Sequence, residues 1–176
     1  MIKKAAAVAD IVDNLRRVFH VVNEISKKTE IETGLTGPQL WAVKIISQES
    51  PIMVSEVARR MYLHPATVVG ILDRLELQDL VARVRSSEDR RVVRVELTGK
   101  GQALVKNAPE VATGLLVAGL EKLTFEKLQD ISDGMEQIVK ILGAQGIPPH
   151  LIHSPGMNMP QQTKARVRSQ QTPRHK

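Results

Sequence analysis

The chain has no cysteine, which excludes disulfides, thiolate metal ligands and thiol redox sensing across its 176 residues. Aromatic side chains make up only 2% of it, so a core must be built from Leu, Ile, Val, Met and Ala, the composition of packed helices. Long hydrophobic runs are missing as well. No stretch approaches the ~18 apolar residues of a membrane span, and the opening MIKKAAAVADIVDN reaches Asp10 before a secretory core develops. A cytoplasmic protein with no membrane partner is expected. Acidic residues are absent from one region, 147–176, which carries five of the 25 Lys and Arg residues and none of the 19 Asp and Glu. What precedes it holds 20 basic against 19 acidic residues, so the net charge of +6 describes this tail. An argument for nucleic-acid binding must therefore rest on where charges sit.

The 42% hydrophobic content that is present suffices for a real core, and its spacing predicts the elements. Val8, Ile11, Leu15, Val18, Val22 and Ile25 draw one stripe along a long helix over residues 3–29, widened by Val12 and Phe19, on a spacing that suits a partner chain or an ordinary core. Gly34 and Thr36-Gly37-Pro38 mark a break and a capped helix start, with the helix running to about Gln48. After Ser50-Pro51, Val54–Met61 and Ala66–Asp79 read as two short helices around the turn Tyr62-Leu63-His64-Pro65, a helix-turn-helix pattern. The period then changes to two over Val81–Ser86 and Val93–Leu97, which predicts two strands around the polar tip Ser86-Ser87-Glu88-Asp89-Arg90-Arg91. Thr98 caps another helical region that Pro109 kinks or ends. A last helix follows Thr124, striped by Leu128, Ile131, Met135, Ile138 and Leu142 and stopped by Gly143 and Gly146. The best heptad stripes thus lie at the two ends of the chain, and one bundle doubled across a two-fold axis would bury both. The region from 147 onward, with five prolines, reads as a tail without a core of its own.

Helix, turn, helix and an arginine-rich hairpin form a geometry for reading a duplex, with the second short helix in the major groove, where base edges are distinguishable. Its first exposed positions are His64, Pro65, Ala66, Thr67, Val69 and Gly70, while Val68, Ile71, Leu72 and Leu75 form the buried face. Thr67 can donate to a base or phosphate, and Ala66 or Val69 can touch a thymine methyl. The hairpin carries Arg83, Arg85, Arg90, Arg91 and Arg94 and no lysine. Arginine suits narrow minor grooves because its planar head desolvates more easily than an ammonium group. Asp89 orients a neighbouring arginine rather than meeting phosphate. A plain solvated hairpin is the alternative reading of this loop.

Asp89-Arg90-Arg91 followed by Leu97-Thr98-Gly99-Lys100-Gly101 resembles the D-x-R…L-T-x-x-G signature of the MarR-type winged-helix regulators, and Leu63–Glu76 is similar to their recognition helix. The resemblance covers roughly residues 5–145. It implies a mostly α (α+β) fold: a winged helix-turn-helix DNA-binding region over 35–98, a helical dimerisation region from 3–34 and 99–145, and the basic Pro/Gln-rich tail over 146–176. It also implies that Arg91 enters the minor groove, that Asp89 braces the wing, that Arg74 contacts phosphate or braces the wing, and that a homodimer reads a pseudo-palindromic operator on double-stranded DNA as a ligand-responsive repressor. The chain departs from the family at Met53, where many members place a Ser or Thr cap, and at His64, where many carry Ser.

A small aromatic or anionic effector, held between the dimer and DNA-binding regions, is a further implication of the resemblance, and no other cofactor is expected. His20 and Trp41 are the candidate contacts for it, though His20 also reads as a hydrogen-bonded interface residue and Trp41 as core. No metal site is expected: His150, His153 and His175 fall in the tail with no carboxylate nearby. An enzyme would need an activated nucleophile or a clustered acid and base, and none is visible; Asp130, Asp133 and Glu136 read as a solvent face. The other rival is a winged-helix protein-interaction module without specific DNA binding, against which the arginine-rich wing argues.

Overall fold

Alternation of φ-permissive residues and side-chain caps divides the chain into seven helices and three strands among residues 2–85, 93–149 and 151, which the computed structural model describes. Helix α1 (Ile2–Thr33) runs a turn beyond the expected 3–29 and stops where Gly34 takes φ +69. Helix α2 (Gly37–Gln48) starts at Thr36, whose backbone N–H donates to the Gln39 side chain at 2.9 Å, with Pro38 in the first turn. It is the central helix, with Leu40, Trp41, Ala42, Val43, Ile45 and Ile46 all buried.

Helices α3 (Val54–Arg60) and α4 (Pro65–Leu77) follow, then β2 (Val81–Arg85) and β3 (Val93–Leu97), paired antiparallel with Val81 opposite Leu97. A third strand, β1 (Ile52–Met53), was not expected. It pairs antiparallel with the other edge of β3, Ile52 opposite Val95, giving the order β1-β3-β2. Its two residues are too short to show a period. What fixes them is burial, since Ile52 is 1% exposed. Helix α5 (Gly99–Lys106) starts at Thr98, α6 (Ala112–Leu120) lies beyond Pro109, and α7 (Phe125–Ile141) starts at Thr124, whose hydroxyl accepts the Lys127 N–H, and gives way to Gly143 at φ +67.

Nearly all buried residues fall between Leu35 and Leu97; outside that span only Thr29, Gly101 and Val111 are buried among the described residues. Within it, Leu40, Ile46, Val57, Ile71, Leu72, Leu80 and Val95 form one cluster, and each fully buried Leu or Ile adds about 2 kcal/mol. The terminal helices differ. On α1, Val8, Ile11, Val18 and Phe19 are each more than half exposed, and no residue of α7 is buried, its stripe residues Met135 and Leu142 being 51% and 74% exposed. Two helices with good apolar stripes contribute almost nothing to the core of a single chain.

Candidate nucleic-acid interface

Pro65 in its first turn and His64 as N-cap define the start of α4. The His64 ring takes the cap role that Ser has elsewhere: Nδ1 accepts the Ala66 N–H at 3.3 Å. With Nδ1 an acceptor, hydrogen bonding assigns the neutral ring's proton to Nε2, leaving a donor on an exposed side chain. Met53, by contrast, caps α3 with no side-chain hydrogen bond. Beyond the cap, Val68, Ile71, Leu72 and Leu75 pack into the core, and the 3.6-residue period turns Pro65, Ala66, Thr67, Val69 and Gly70 to solvent together with His64. Arg74, a turn further along, is half-buried.

The hairpin arginines divide into two groups. Arg83, at the middle of β2, turns back onto α4: one guanidinium nitrogen lies 2.6 Å from the Asp73 carboxylate and another pairs with Glu76. Arg94 on β3 donates to the Pro51 carbonyl at 3.4 Å, toward β1. Both are engaged inside the protein, and neither belongs to the expected DNA-contacting set of Arg74, Arg85, Arg90 and Arg91. Arg85 is the last residue of β2, its backbone paired with Val93. Asp89, Arg90 and Arg91 lie outside the described residues, as do the remainder of the tip over 86–92 and the tail from 152.

A joint behind the hairpin holds α4, β2 and α5 together. Thr98 Oγ1 donates to the Asp79 carbonyl at 2.7 Å and accepts the Gly101 N–H at 3.1 Å, while its backbone N–H donates to the Leu80 carbonyl at 3.2 Å. Lys100 Nζ donates to the Gln78 carbonyl at 2.8 Å, placing a cation at the C-terminus of α4, where the helix dipole favours it. The Leu-Thr-x-x-Gly run is therefore the clasp that fixes the hairpin's root to the end of the exposed helix.

On α3, Glu56 accepts from Arg59 at 2.8 and 2.7 Å and from Arg60 at 2.7 Å, and Arg60 also pairs with Glu49. Hydrogen bonds from Arg59, then Arg60, lower the Glu56 pKa from 4.5 to about 2. A depressed carboxylate pKa adds stability above the unfolded value and loses it as pH falls toward the folded one. Glu56→Gln is expected to lower stability slightly at pH 7, with the gap to the parent chain closing between pH 4.5 and about 2 and shrinking in high salt. Urea melts at pH 7 and pH 2.5, at two salt concentrations, check this; a gap unchanged with pH would contradict it.

Sequence reasoning missed the long-range side-chain pairs, Lys44 with Glu110 at 2.9 Å and a second one at the turn before α4. The Tyr62 hydroxyl, in the turn before α4, donates to Glu121 at the end of α6 at 2.8 Å, and Tyr62 holds φ +52. No periodicity links residues so far apart in the chain. Both line a cleft of about 260 Å³ together with Trp41, Arg59, Arg60 and Gly114. Trp41 is thus both core, at 8% exposure, and cleft wall. His20 is exposed on α1 and is not brought together with Trp41; it lines neither this cleft nor the apolar groove of about 410 Å³ between α1 and α6. Among the described residues no His/Cys/Asp/Glu group fits a metal ion, and no helix is long and apolar enough to cross a membrane.

Comparison with known proteins bears on the same segment. The model of the MarR family matches residues 35–93, from the start of α2 into β3. The chain is 28% identical over 120 residues to the HTH-type transcriptional repressor MdtR of Bacillus subtilis, covering 68% of this chain and 77% of MdtR. It is 30% identical over 109 residues to the organic hydroperoxide resistance transcriptional regulator of the same organism, covering 62% of this chain and 73% of that one. Among solved structures, the YusO protein from Bacillus subtilis aligns with a TM-score of 0.50 at 25% identity, over 77% of this chain and 96% of YusO.

Proposed function

The chain belongs to the MarR family of transcriptional regulators, and from that premise we propose that it acts as a homodimeric, ligand-responsive repressor that reads a pseudo-palindromic site on double-stranded DNA. The observation that carries this reading is the solvent-facing start of α4. His64, Pro65, Ala66, Thr67, Val69 and Gly70 form one uncovered strip on a helix whose other side is anchored in the core. Its chemistry matches base edges: Nε2–H of His64 and the Thr67 hydroxyl as donors, and the methyls of Ala66 and Val69 for a thymine methyl. In this reading Arg74 and Arg85 meet the backbone beside the groove, and Arg90 and Arg91 reach the adjacent minor groove with Asp89 bracing the loop.

Dimerisation is supported by the same single-chain ledger that leaves α1 and α7 uncovered. Stripes at heptad spacing that leave Val8, Ile11, Val18, Phe19, Met135 and Leu142 more than half exposed favour a cover, and a second copy supplies two such stripes at once. Two copies of α4 then meet successive major grooves about one helical turn apart. The name of MdtR as a repressor supports the sign of regulation. The Trp41–Tyr62 cleft, lying between the helix-turn-helix and α6, is the effector site of this proposal: a ligand that favours one separation of the reading heads shifts the population toward or away from the DNA-competent dimer. Having no cysteine, the chain does not read an oxidant through a thiol, whatever signal the hydroperoxide-resistance relative answers to.

Selection of binding sites from random duplex DNA, with Arg91→Ala run beside the parent chain, tests the reading. An inverted repeat with half-sites about ten base pairs apart, weakened for the variant, is expected. Binding that is uniform across sequences and unchanged in the variant would instead favour a protein-interaction module.

A further inference from the structure

The cleft between α2, the Tyr62 turn and α6 has a charge balance that an aromatic acid does not fit. Its two arginines are already committed. Arg59 grips both oxygens of Glu56 in a bidentate fork at 2.8 and 2.7 Å, and Arg60 is shared between Glu56 and Glu49. Two guanidiniums are thus met by two carboxylates of their own neighbourhood. An incoming carboxylate would have to share guanidiniums already hydrogen-bonded to Glu56 and Glu49, and would lie close to the charge of Glu121. Glu121 is the remaining charge on the wall, and its one hydrogen-bond partner among the described residues is the neutral Tyr62 hydroxyl at 2.8 Å. Counting Glu49 and Glu56 behind the two lining arginines, three carboxylates stand against two guanidiniums, and Glu121 is the one whose hydrogen bond comes from a neutral group, with Arg59 acting on it only at longer range.

Trp41 and Tyr62 bring two aromatic side chains to the wall, beside Gln48, Val117 and Ala118. The Trp41 ring lies against Gly114, where a Cβ would sit 3.3 Å from Nε1, so glycine is what lets the α6 backbone approach the indole. The indole N–H makes no hydrogen bond with a described residue. Indole and phenol faces carry negative potential that attracts a cation, and a volume of about 260 Å³ suits a ligand of one or two rings.

We propose that the Trp41–Tyr62–Glu121 cleft takes a small, planar aromatic cation, with its ring against Trp41 and its charge on Glu121. The proposal rests on the reading of this cleft as the effector site and names the ligand class for it. Binding also has a route to the reading head. A cation that pairs with Glu121 competes for the carboxylate that Tyr62 holds, and Tyr62 sits in the turn that mounts α4.

Trp41 is the one tryptophan in the chain, so its emission reports on this wall alone. Titrating the full-length protein with benzamidine and, separately, with benzoate compares the same ring bearing opposite charge, and the indole N–H resonance in an NMR titration gives a second readout. Benzamidine is expected to saturate both signals with at least tenfold higher affinity than benzoate. Glu121→Gln should weaken benzamidine by tenfold or more and leave benzoate binding undiminished or strengthened, with the melting temperature unchanged. Benzoate binding as tightly as benzamidine, or benzamidine affinity unaffected by Glu121→Gln, would overturn the cation class while leaving the cleft as a ligand site. Saturation by neither probe in either readout would overturn the effector-site reading along with it.

Discussion

Gly101→Ala is expected to destabilise the fold by about 3 kcal/mol and to lower the melting temperature by roughly 10 °C, a large effect for one methyl group. Gly101 sits in the first turn of α5, where a Cβ would meet the Leu80 carbonyl oxygen at 2.1 Å, with the Leu80 carbonyl carbon at 3.1 Å and a Leu97 methyl at 3.4 Å. The obstacle is main chain, which cannot rotate aside. That same Leu80 carbonyl accepts the Thr98 N–H, and Thr98 also holds the Gly101 N–H and the Asp79 carbonyl, so a displacement of Gly101 strains every bond of the clasp. Gly99, two residues earlier in the same motif, has nothing within 4 Å of its would-be Cβ. Gly99→Ala should therefore stay within about 0.5 kcal/mol of the parent chain. Thermal and urea melts of the two variants decide the matter: equal losses would mean that the close approach at Leu80 is not what demands glycine.

Gly101 also marks where the sequence stops being legible. The Leu-Thr-x-x-Gly pattern was visible and Thr98 was readable as a cap, because capping is a local rule linking residues three apart. The reason for the glycine was not, since the Leu80 carbonyl comes from the other side of the hairpin. The same division runs through the fold. Apolar spacing identified Val68, Ile71, Leu72 and Leu75 as the buried face of α4, and Thr36, Thr98 and Thr124 were placed at helix starts, where all three are found. The two-residue strand at Ile52 carries no period and emerged only from its pairing with β3. Tyr62 and Glu121 meet across the chain with no pattern to announce them. The role of Arg83 was not legible for a related reason. A strand residue flanked by other arginines looks like part of a basic surface until its carboxylate partners on the preceding helix are known.

Arg83 accordingly carries the second large expectation: Arg83→Met should weaken specific DNA binding tenfold or more while costing about 1 kcal/mol of stability or less. The stability cost is small because the ion pairs are only partly shielded; the Arg83 side chain is 27% exposed, and Asp73 and Glu76 are 55% and 41% exposed. The effect on binding has two sources. Asp73 and Glu76 lie on the helix proposed to enter the major groove, and without Arg83 they face phosphates as bare carboxylates. At ~10 Å in water each such repulsion is worth roughly 0.4 kcal/mol, so the pair accounts for about fourfold at low salt and fades as salt rises. The remainder comes from geometry. The guanidinium spans two carboxylates a helical turn apart and so fixes the angle between the hairpin and α4; a hairpin free to splay must be ordered again on DNA, at a cost in affinity. Adding Asp73→Asn and Glu76→Gln to Arg83→Met separates the two sources. The triple variant is expected to recover the salt-sensitive fourfold and no more. Full recovery would mean that Arg83 acts only by neutralising charge, and Arg83→Met with undiminished affinity at every salt concentration would mean that the hairpin's angle to α4 does not matter for reading DNA.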